Sequence, residues 1–333
     1  MSASIEEQAQ WFRENTEKLR AEIGKVVVGH GEAVNQLLVS ILAGGHALLE
    51  GVPGLGKTLL VRTIAQCVRL KFGRIQFTPD LMPADIIGTN IVAEDASGRK
   101  QFQFQHGPIF GNIILADEIN RATPKTQSAL LEAMQERGVT VSGVRYPLEE
   151  PFFVLATQNP IEMEGTYPLP EAQIDRFFFK IEVKASNLAE LMQVIDRTTG
   201  SEGAPPKALF DGKEILEMRG LAREVPIASH VREFAARLVL ATHPDGGGPA
   251  VARKYLRYGS SPRGAQALVL AGKILALSKG RYNVSFGDIR EAAYPALRHR
   301  LILNFEAEAE GVRPDQILSK ILEEVPEVSG AKA

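Results

Sequence analysis

The sequence predicts an α/β protein with a doubly wound parallel sheet, followed by an all-helical second domain. Short apolar runs typical of strands alternate with amphipathic segments typical of helices up to about residue 184. This alternation is the pattern of a parallel sheet covered by helices on both faces. Strand-like runs then stop, and helix-like segments continue along the rest of the chain. We therefore expect an N-terminal helix over 1–24, an α/β domain over 25–184 and a helical lid domain over 185–333.

Local spacing indicates each element of this fold. The predicted strands lie at 46–50, 74–78, 113–117, 151–157 and 177–181. The predicted helices lie at 5–24, within 26–47, after Lys57, and at 187–197, 213–223, 229–243, 262–279 and 286–300. Gly24 is the expected end of the first helix. The clearest helix begins at Thr123-Pro124 and ends at Gly138, because Thr caps helices, Pro suits the first turn and Gly suits the end.

Two segments interrupt the alternation of strands and helices. In residues 89–104, two strand-like runs flank a Ser97-Gly98 turn, and in residues 138–149 two more flank Ser142-Gly143. Turns of this composition join antiparallel strands. Both segments are predicted to be β-hairpins inserted into the α/β core, and the residues alone leave open whether they are ordinary surface hairpins.

The overall composition favours a protein of a reducing compartment that does not depend on nucleic acid. Lys and Arg number 38 and Asp and Glu number 40, so the formal net charge is −2, whereas proteins that grip phosphate backbones usually carry a basic excess. Cys67 is the single cysteine, so no internal disulfide can form. We expect a cytoplasmic protein with neither a signal peptide nor a membrane span, because the sequence has no basic start and no apolar run of ~18–20 residues.

The strongest motif is a glycine-rich loop that matches the pattern G-x-x-x-x-G-K-[ST]. Its residues are Gly51, Val52, Pro53, Gly54, Leu55, Gly56, Lys57 and Thr58, and the predicted nucleotide-binding stretch extends to Leu59. Glycines let backbone N–H groups wrap a phosphate, and the following helix adds its positive end. Lys57 can then reach the β- and γ-phosphates of ATP, while Thr58 can bind Mg²⁺.

A second motif supplies two carboxylates. The buried strand Ile113–Ala116 leads directly into Asp117 and Glu118, and ligand sites of α/β proteins form at such strand ends. Asp117 suits the Mg²⁺ shell, acting through water, and Glu118 suits the general base that activates the attacking water. With the glycine-rich loop upstream, this pair predicts an ATPase.

A third group, Thr157-Gln158-Asn159-Pro160, follows another predicted strand. A polar side chain at this position could hold the attacking water. Taken without its neighbours, the same segment favours a simple turn before Pro160.

Together these segments resemble the MoxR family of the AAA+ superfamily, from about residue 27 to about residue 303. The matching stretches are Gly51–Thr58, Asp117–Ala122, Ala156–Pro160, Gly165–Phe177 and Gly259–Gly264. The run from Gly165 to Phe177 is long and distinctive, and it is more similar to MoxR than to other AAA+ groups.

The resemblance implies a role for each matching residue. Asn159 corresponds to sensor 1, which senses the γ-phosphate. Arg176 corresponds to the arginine finger that enters the neighbouring subunit's site. Arg263 corresponds to sensor 2, which reaches the γ-phosphate of its own subunit. Val28 and Gly29 lie where the family packs adenine.

The resemblance also implies an assembly and partners. It implies a hexameric ring of identical subunits that hydrolyses ATP with Mg²⁺, and a chaperone-like remodeller of a protein client. A von Willebrand factor A domain protein is the implied partner, and metal insertion or complex assembly is the implied task. In related rings, hairpins such as those at 89–104 and 138–149 face the pore or the client.

Three alternatives stay open at this point. They are a nucleic-acid-dependent AAA+ motor, a metal-chelatase motor subunit, and a switch or scaffold that does not hydrolyse ATP. Arg121 either points across a subunit interface or forms a structural ion pair.

Overall fold

The computed structural model describes residues 4–51, 54–94, 98–159, 165–200 and 204–328. The strands are β1 Ala47–Glu50, β2 Phe72–Gln76, β3 Gly88–Glu94, β4 Lys100–His106, β5 Ile113–Asp117, β6 Gly138–Val141, β7 Val144–Pro147, β8 Phe153–Gln158, β9 Phe179–Glu182, β10 Leu256–Tyr258 and β11 Ile302–Leu303. The helices are α1 Ile5–Val26, α2 Gly31–Ala43, α3 Lys57–Cys67, α4 Pro83–Ile87, α5 Pro124–Glu136, α6 Glu171–Ile174, α7 Leu188–Thr199, α8 Gly212–Glu224, α9 Ser229–Leu240, α10 Ala250–Tyr255, α11 Pro262–Ser278, α12 Phe286–Leu297, α13 Phe305–Glu310 and α14 Pro314–Glu324.

A five-stranded parallel sheet in the order β2-β5-β8-β1-β9 forms the centre of the molecule. Successive residues of its inner strands face opposite cores, as alternation in a strand requires. Ile113 and Leu115 join the core shared with the C-terminal helices, whereas Ile114 and Ala116 join the core under α4 and α5. Both faces are therefore buried, which explains why the inner strands are continuous apolar runs. The predicted doubly wound parallel sheet is confirmed.

Both inserted hairpins are present, and they pack together. β3 pairs with β4 along its whole length, from Gly88 opposite His106 to Glu94 opposite Lys100. β6 and β7 are joined through Ser142 and Gly143, whose φ angles of 51° and 79° are both positive. The Phe104 and Tyr146 rings stack with centroids 4.1 Å apart, which ties one hairpin to the other. Ser97 of the first predicted turn lies outside the described residues.

Two predicted helix ends are wrong. Glycine weakens a helix because of its conformational freedom, but it does not by itself end one. α1 continues past Gly24 to Val26. α5 ends at Glu136, two residues before Gly138, because Arg137 adopts the left-handed conformation (φ 49°) and Gly138 already begins β6. Thr123 occupies the N-cap position of α5, but its side chain accepts no capping hydrogen bond there.

The C-terminal part is helical from α7 to α14, with one addition to the predicted pattern. β10 and β11 form a short antiparallel pair, with Leu256 opposite Leu303, so this part is not purely helical. α1 packs against α3 and α11, with Phe12, Leu19 and Ile23 buried. The division at 1–24, 25–184 and 185–333 stays a prediction. In the described part of the chain, no helix combines the length and apolar character needed to cross a bilayer.

Candidate active site

The glycine-rich loop joins β1 to α3 at the carboxyl edge of the sheet. Gly54 and Gly56 have positive φ angles of 82° and 73°, a conformation that residues with a Cβ rarely adopt. Gly56 is the N-cap of α3, so the helix begins at Lys57 with its free N–H groups beside the loop. Val52 and Pro53, which complete the predicted motif, lie outside the described residues.

Lys57 is held back against the loop. Its Nζ donates a hydrogen bond to the Gly51 carbonyl oxygen at 2.7 Å. Partial burial lowers the pKa of Lys57, and the nearby charges of Asp117 and Glu118 oppose that shift. The ammonium group therefore lies close to both predicted carboxylates, at the start of the helix where phosphates bind. Thr58 follows it in the first turn of α3.

Thr157, which the sequence analysis named only as a member of the third group, makes hydrogen bonds to the Asp117 carboxylate and to the backbone of Glu118. Its Oγ1 donates to Asp117 Oδ1 at 2.7 Å and accepts the backbone N–H of Glu118 at 2.8 Å. The side chain is completely buried between β1 and β5. It therefore fixes Asp117 and Glu118 relative to the end of β8.

Glu118 has an unusual backbone and two side-chain partners. Its φ angle of 56° places it in the left-handed region, which costs energy for a residue with a side chain. Its Oε2 accepts hydrogen bonds from Gln76 Nε2 and from Arg121 Nη1, each at 3.1 Å. Arg121 thus forms an ion pair inside its own chain, and its partner is the predicted general base.

The strand order explains the contacts from β2. β2 lies beside β5, with Gln76 opposite Asp117. Arg74 Nη2 lies 2.7 Å from Asp117 Oδ2 and donates to Gln76 Oε1 at 2.8 Å. Arg74 and Gln76 were missed by the sequence analysis. Their alternation as polar residues on one strand was the available signal, but only the order β2-β5 shows what they face.

Asn159 is buried directly after β8, and β8 lies between β5 and β1. The chain therefore brings Asn159 to the same edge of the sheet as the loop and the carboxylates. Pro160, before which the sequence alone favoured a turn, lies outside the described residues.

A cavity of about 360 Å³ opens beside the glycine-rich loop. Its lining includes Val28, Leu59, Leu191 and Val194 together with Gly54, Leu55 and Gly56. Apolar walls next to phosphate-binding backbone suit a purine base. Gly29 adjoins α7 so closely that a Cβ there would lie 2.8 Å from the Glu190 carboxyl carbon. Val28 lines this cavity and Gly29 follows it in the chain, and the role of both residues at the adenine stays a prediction.

Arg176 and Arg263 lie at the opposite edge of the sheet. Both line a cavity of about 300 Å³ with Asp175, Gly45 and His46, the last two of which immediately precede β1. Because strands rise ~3.3 Å per residue, the length of β1 separates this cavity from the loop. The expectation that Arg263 lies at its own nucleotide is therefore wrong, because the lid places the start of α11 against Asp175, in the segment that precedes β9.

Asp175 ties the lid to the segment that carries Arg176. Its carboxylate accepts hydrogen bonds from Ser261 Oγ at 2.8 Å and Arg300 Nε at 2.9 Å, and it lies 3.5 Å from Arg263 Nη1. Arg300 also donates to the carbonyl of Phe177 at 2.7 Å, and burial lowers the pKa of its guanidinium to about 10. Arg176 itself donates to the Leu131 carbonyl at 3.3 Å.

Fold and site together define a P-loop protein of the AAA class. The ATPase family associated with various cellular activities (AAA) matches residues 46–179, and the AAA lid domain matches residues 249–321.

Relatives of known name and structure cover nearly the whole chain. The chaperone MoxR1 of Mycobacterium tuberculosis is 43% identical over 91% of this chain and 80% of its own length. YeaC of Bacillus subtilis, an uncharacterized protein, is 42% identical over 91% of this chain and 92% of its own. A crystal structure of a presumed ATPase from Cytophaga hutchinsonii superposes with a TM-score of 0.90 at 45% identity, covering 96% of this chain and 97% of that one. The chain belongs to the MoxR family of AAA+ ATPases.

Proposed function

We propose that the protein hydrolyses ATP with Mg²⁺ in a ring of identical subunits and uses the energy to remodel a protein client. One observation carries the proposal. Each chain has a loop, two carboxylates and Asn159 at one edge of the sheet, and two arginines at the other edge. Neither edge alone has every group that phosphoryl transfer needs. A head-to-tail ring brings the two edges of adjacent copies together and completes the site.

The donor groups at the loop fit a magnesium ion. The Thr58 hydroxyl and the Asp117 carboxylate are oxygen ligands, which Mg²⁺ prefers, and this ion usually takes few protein ligands besides phosphate oxygens and water. When bound, Mg²⁺ neutralises charge on the β- and γ-phosphates. Thr157 holds one oxygen of Asp117, and Arg74 pairs with the other, so ion binding through water would compete with Arg74.

The chain's own residues have distinct tasks in hydrolysis. Lys57 exchanges its contact with the Gly51 carbonyl for the β- and γ-phosphates. Gln76 and Arg121 both hold Oε2 of Glu118, so Oε1 is the oxygen that takes a proton from water. Asn159 orients the water or the γ-phosphate. Arg176 and Arg263 of the adjacent subunit stabilise the charge that develops on the transferring group.

The proposed assembly, client and location rest on the similarity of this chain to its family. A relative of this chain is named a chaperone, and we propose the same type of work here, in a cytoplasmic hexamer with a von Willebrand factor A domain protein as partner. The proposed client surface includes the two hairpins. On the hairpin of β3 and β4, Val92 is 59% exposed and Phe102 is 80% exposed. Metal insertion or complex assembly is the proposed outcome.

Phosphate release with and without Glu118 tests the proposal. The wild-type protein should release phosphate from Mg-ATP, and Glu118→Gln should lower turnover by ~10²-fold or more while ATP binding persists. Lys57→Ala should instead abolish binding, measured by calorimetry. A wild-type protein without turnover would contradict the proposal and favour a non-hydrolysing switch. DNA should not raise the rate, and a salt-sensitive rise would favour the nucleic-acid motor.

A further inference from the structure

α7 carries an apolar stripe that the described part of its own chain leaves largely exposed. Leu188, Leu191, Met192 and Ile195 follow the i, i+3, i+4, i+7 spacing of one helix face. Their side chains are 76%, 49%, 57% and 50% exposed, and no residue of the described helix is buried. Contiguous exposed apolar surface of this kind marks an interaction site.

The attachment of α7 to the rest of the chain is mainly polar. Arg197 Nη1 donates to the carbonyl oxygens of Gly24 at 3.0 Å and Lys25 at 2.8 Å. Asn187 and Glu190 cap the first turn. A helix of this length is marginal in water without tertiary packing, so we expect the stripe to gain its packing from another surface.

The lid presents an apolar groove of about 610 Å³ between α9 and α11. Its apolar lining is formed by Ala235, Ala236, Ala265, Val269 and Leu270. Arg223, Arg232 and Lys273 also line it, so the groove favours an apolar ligand with acidic flanks. α7 has both properties, since Asp196 lies one helical turn after Met192, beside the apolar stripe.

Each surface borders one half of the proposed composite site. Leu191 of the stripe also lines the nucleotide cavity beside the loop. Gln266 and Leu270 of the groove also line the cavity that holds Arg176 and Arg263. A neighbour whose arginines approach the loop therefore brings its groove toward α7.

We propose that α7 of one subunit docks in the lid groove of the next subunit of the ring. The occupant is a second copy of this chain, because the two surfaces are continuous with the two halves of the catalytic interface. The contact is heterologous, with different surfaces on the two subunits, as a closed ring requires. This inference rests on the proposed function, since it needs the arginines to act on a neighbour.

Cysteine cross-linking between two variants tests this contact. Cys67 does not interfere, because it is buried and burial raises the pKa of its thiol to about 11. Met192→Cys and Ala236→Cys proteins are mixed with Mg-ATP under mild oxidation. A disulfide-linked heterodimer should form in the mixture, and neither variant alone should form a dimer. Phe305→Cys, 84% exposed on α13, replaces Met192→Cys as the matched control and should give no heterodimer with Ala236→Cys.

A charge on the stripe provides the second measurement. Met192→Glu should raise the protein concentration at half-assembly by about tenfold, as expected for loss of a buried interface anchor, and Phe305→Glu should not. An ATP-hydrolysing assembly without the heterodimer would overturn the docking alone. A chain that neither assembles nor hydrolyses ATP would overturn both proposals. Dimers of Met192→Cys alone would show that α7 pairs with α7 and would also overturn the docking.

Discussion

At the scale of single residues, Thr157 is the side chain on which the geometry of both carboxylates depends. It donates to Asp117 and accepts from the Glu118 N–H. Thr157→Val keeps the shape of the side chain but removes its hydroxyl. Asp117 Oδ1 and the Glu118 N–H then both lose this hydrogen-bond partner. We expect a loss of stability of about 1–3 kcal/mol, measured by urea unfolding, and a lower rate of phosphate release.

Thr157→Ser is the matched control, because it keeps the hydroxyl and removes only a methyl group. It should retain most of the activity that Thr157→Val loses. If Thr157→Ser reduced turnover as much as Thr157→Val, a retained hydroxyl would not preserve activity, and this would contradict the role given to the two hydrogen bonds.

The residues that the sequence could identify are those whose spacing carries the chemistry. Lys57, Thr58, Asp117 and Glu118 stand next to one another in motifs, so the chain itself shows what each could bind. Arg74 and Gln76 were not predicted because their contacts with Asp117 and Glu118 depend on which strand lies beside β2. The expected position of Arg263 was wrong for a similar reason, since local spacing does not tell on which side of the sheet a lid packs.

At the scale of elements, His46 links the start of β1 to α5 and β8. Its Nδ1 accepts the Val154 N–H at 3.0 Å, so Nε2, 3.1 Å from the Met134 carbonyl oxygen, carries the proton and donates. Burial is the main reason that the pKa of His46 falls from 6.5 to about 4. The folded protein therefore requires the neutral ring.

This depressed pKa predicts a loss of stability in mild acid. Above pH 6.5 the ring is neutral in both states and the full stability is present. As the pH falls from 6.5 toward 4, the unfolded chain takes up a proton that the folded chain excludes, which removes up to about 3 kcal/mol. His299 is also buried with a lowered pKa and acts in the same direction.

Urea unfolding across this pH range measures the effect. His46→Gln removes the titrating group, so its free energy of unfolding should fall less steeply between about pH 7 and 5 than that of the wild type. His230→Gln, on the exposed face of α9, is the control for the histidine-to-glutamine substitution itself. Equal slopes for His46→Gln and wild type would contradict the assignment.

Element types were predictable where the local pattern was strong, and element ends were less so. The Ser142-Gly143 turn was found because its composition permits the positive φ angles of a hairpin. The end of α5 was missed by two residues because Arg137, which is not a glycine, adopts the left-handed conformation that ends the helix. β10 and β11 are too short for their alternation to be visible, and their pairing depends on the lid packing around them.

At the scale of the whole molecule, the lid and the sheet are joined at the edge that carries the arginines. Arg298 donates to the carbonyl of Lys180 on β9, and Arg300 binds Asp175 and the carbonyls that follow it. A movement of the lid would therefore be transmitted to the segment of Arg176. The parallel topology, in turn, keeps this segment one strand length away from the loop of its own chain.

This separation predicts that Arg176 acts on the neighbouring subunit. An arginine finger contributes ~10³–10⁵ in rate, so Arg176→Ala should bind ATP normally and hydrolyse it poorly. Glu118→Gln should be inactive because it lacks the base. When the two proteins exchange subunits, some interfaces combine the intact Glu118 of an Arg176→Ala subunit with the intact Arg176 of its neighbour. Those sites hold every group, and partial activity should return.

The recovered activity should rise with total protein concentration, because assembly does. Phosphate release is measured across mixing ratios, with size-exclusion chromatography showing that mixed assemblies form. A double variant that carries both substitutions is the matched control, since adding it to either single variant completes no interface beyond what that variant already has. If mixed assemblies form and stay inactive at every ratio, then either Arg176 serves no neighbour or one defective site stops the whole ring. The turnover of Arg176→Ala alone decides between these two explanations. A wild-type rate would exclude Arg176 as an arginine finger. A loss of ~10³-fold or more would leave coupling around the ring as the explanation.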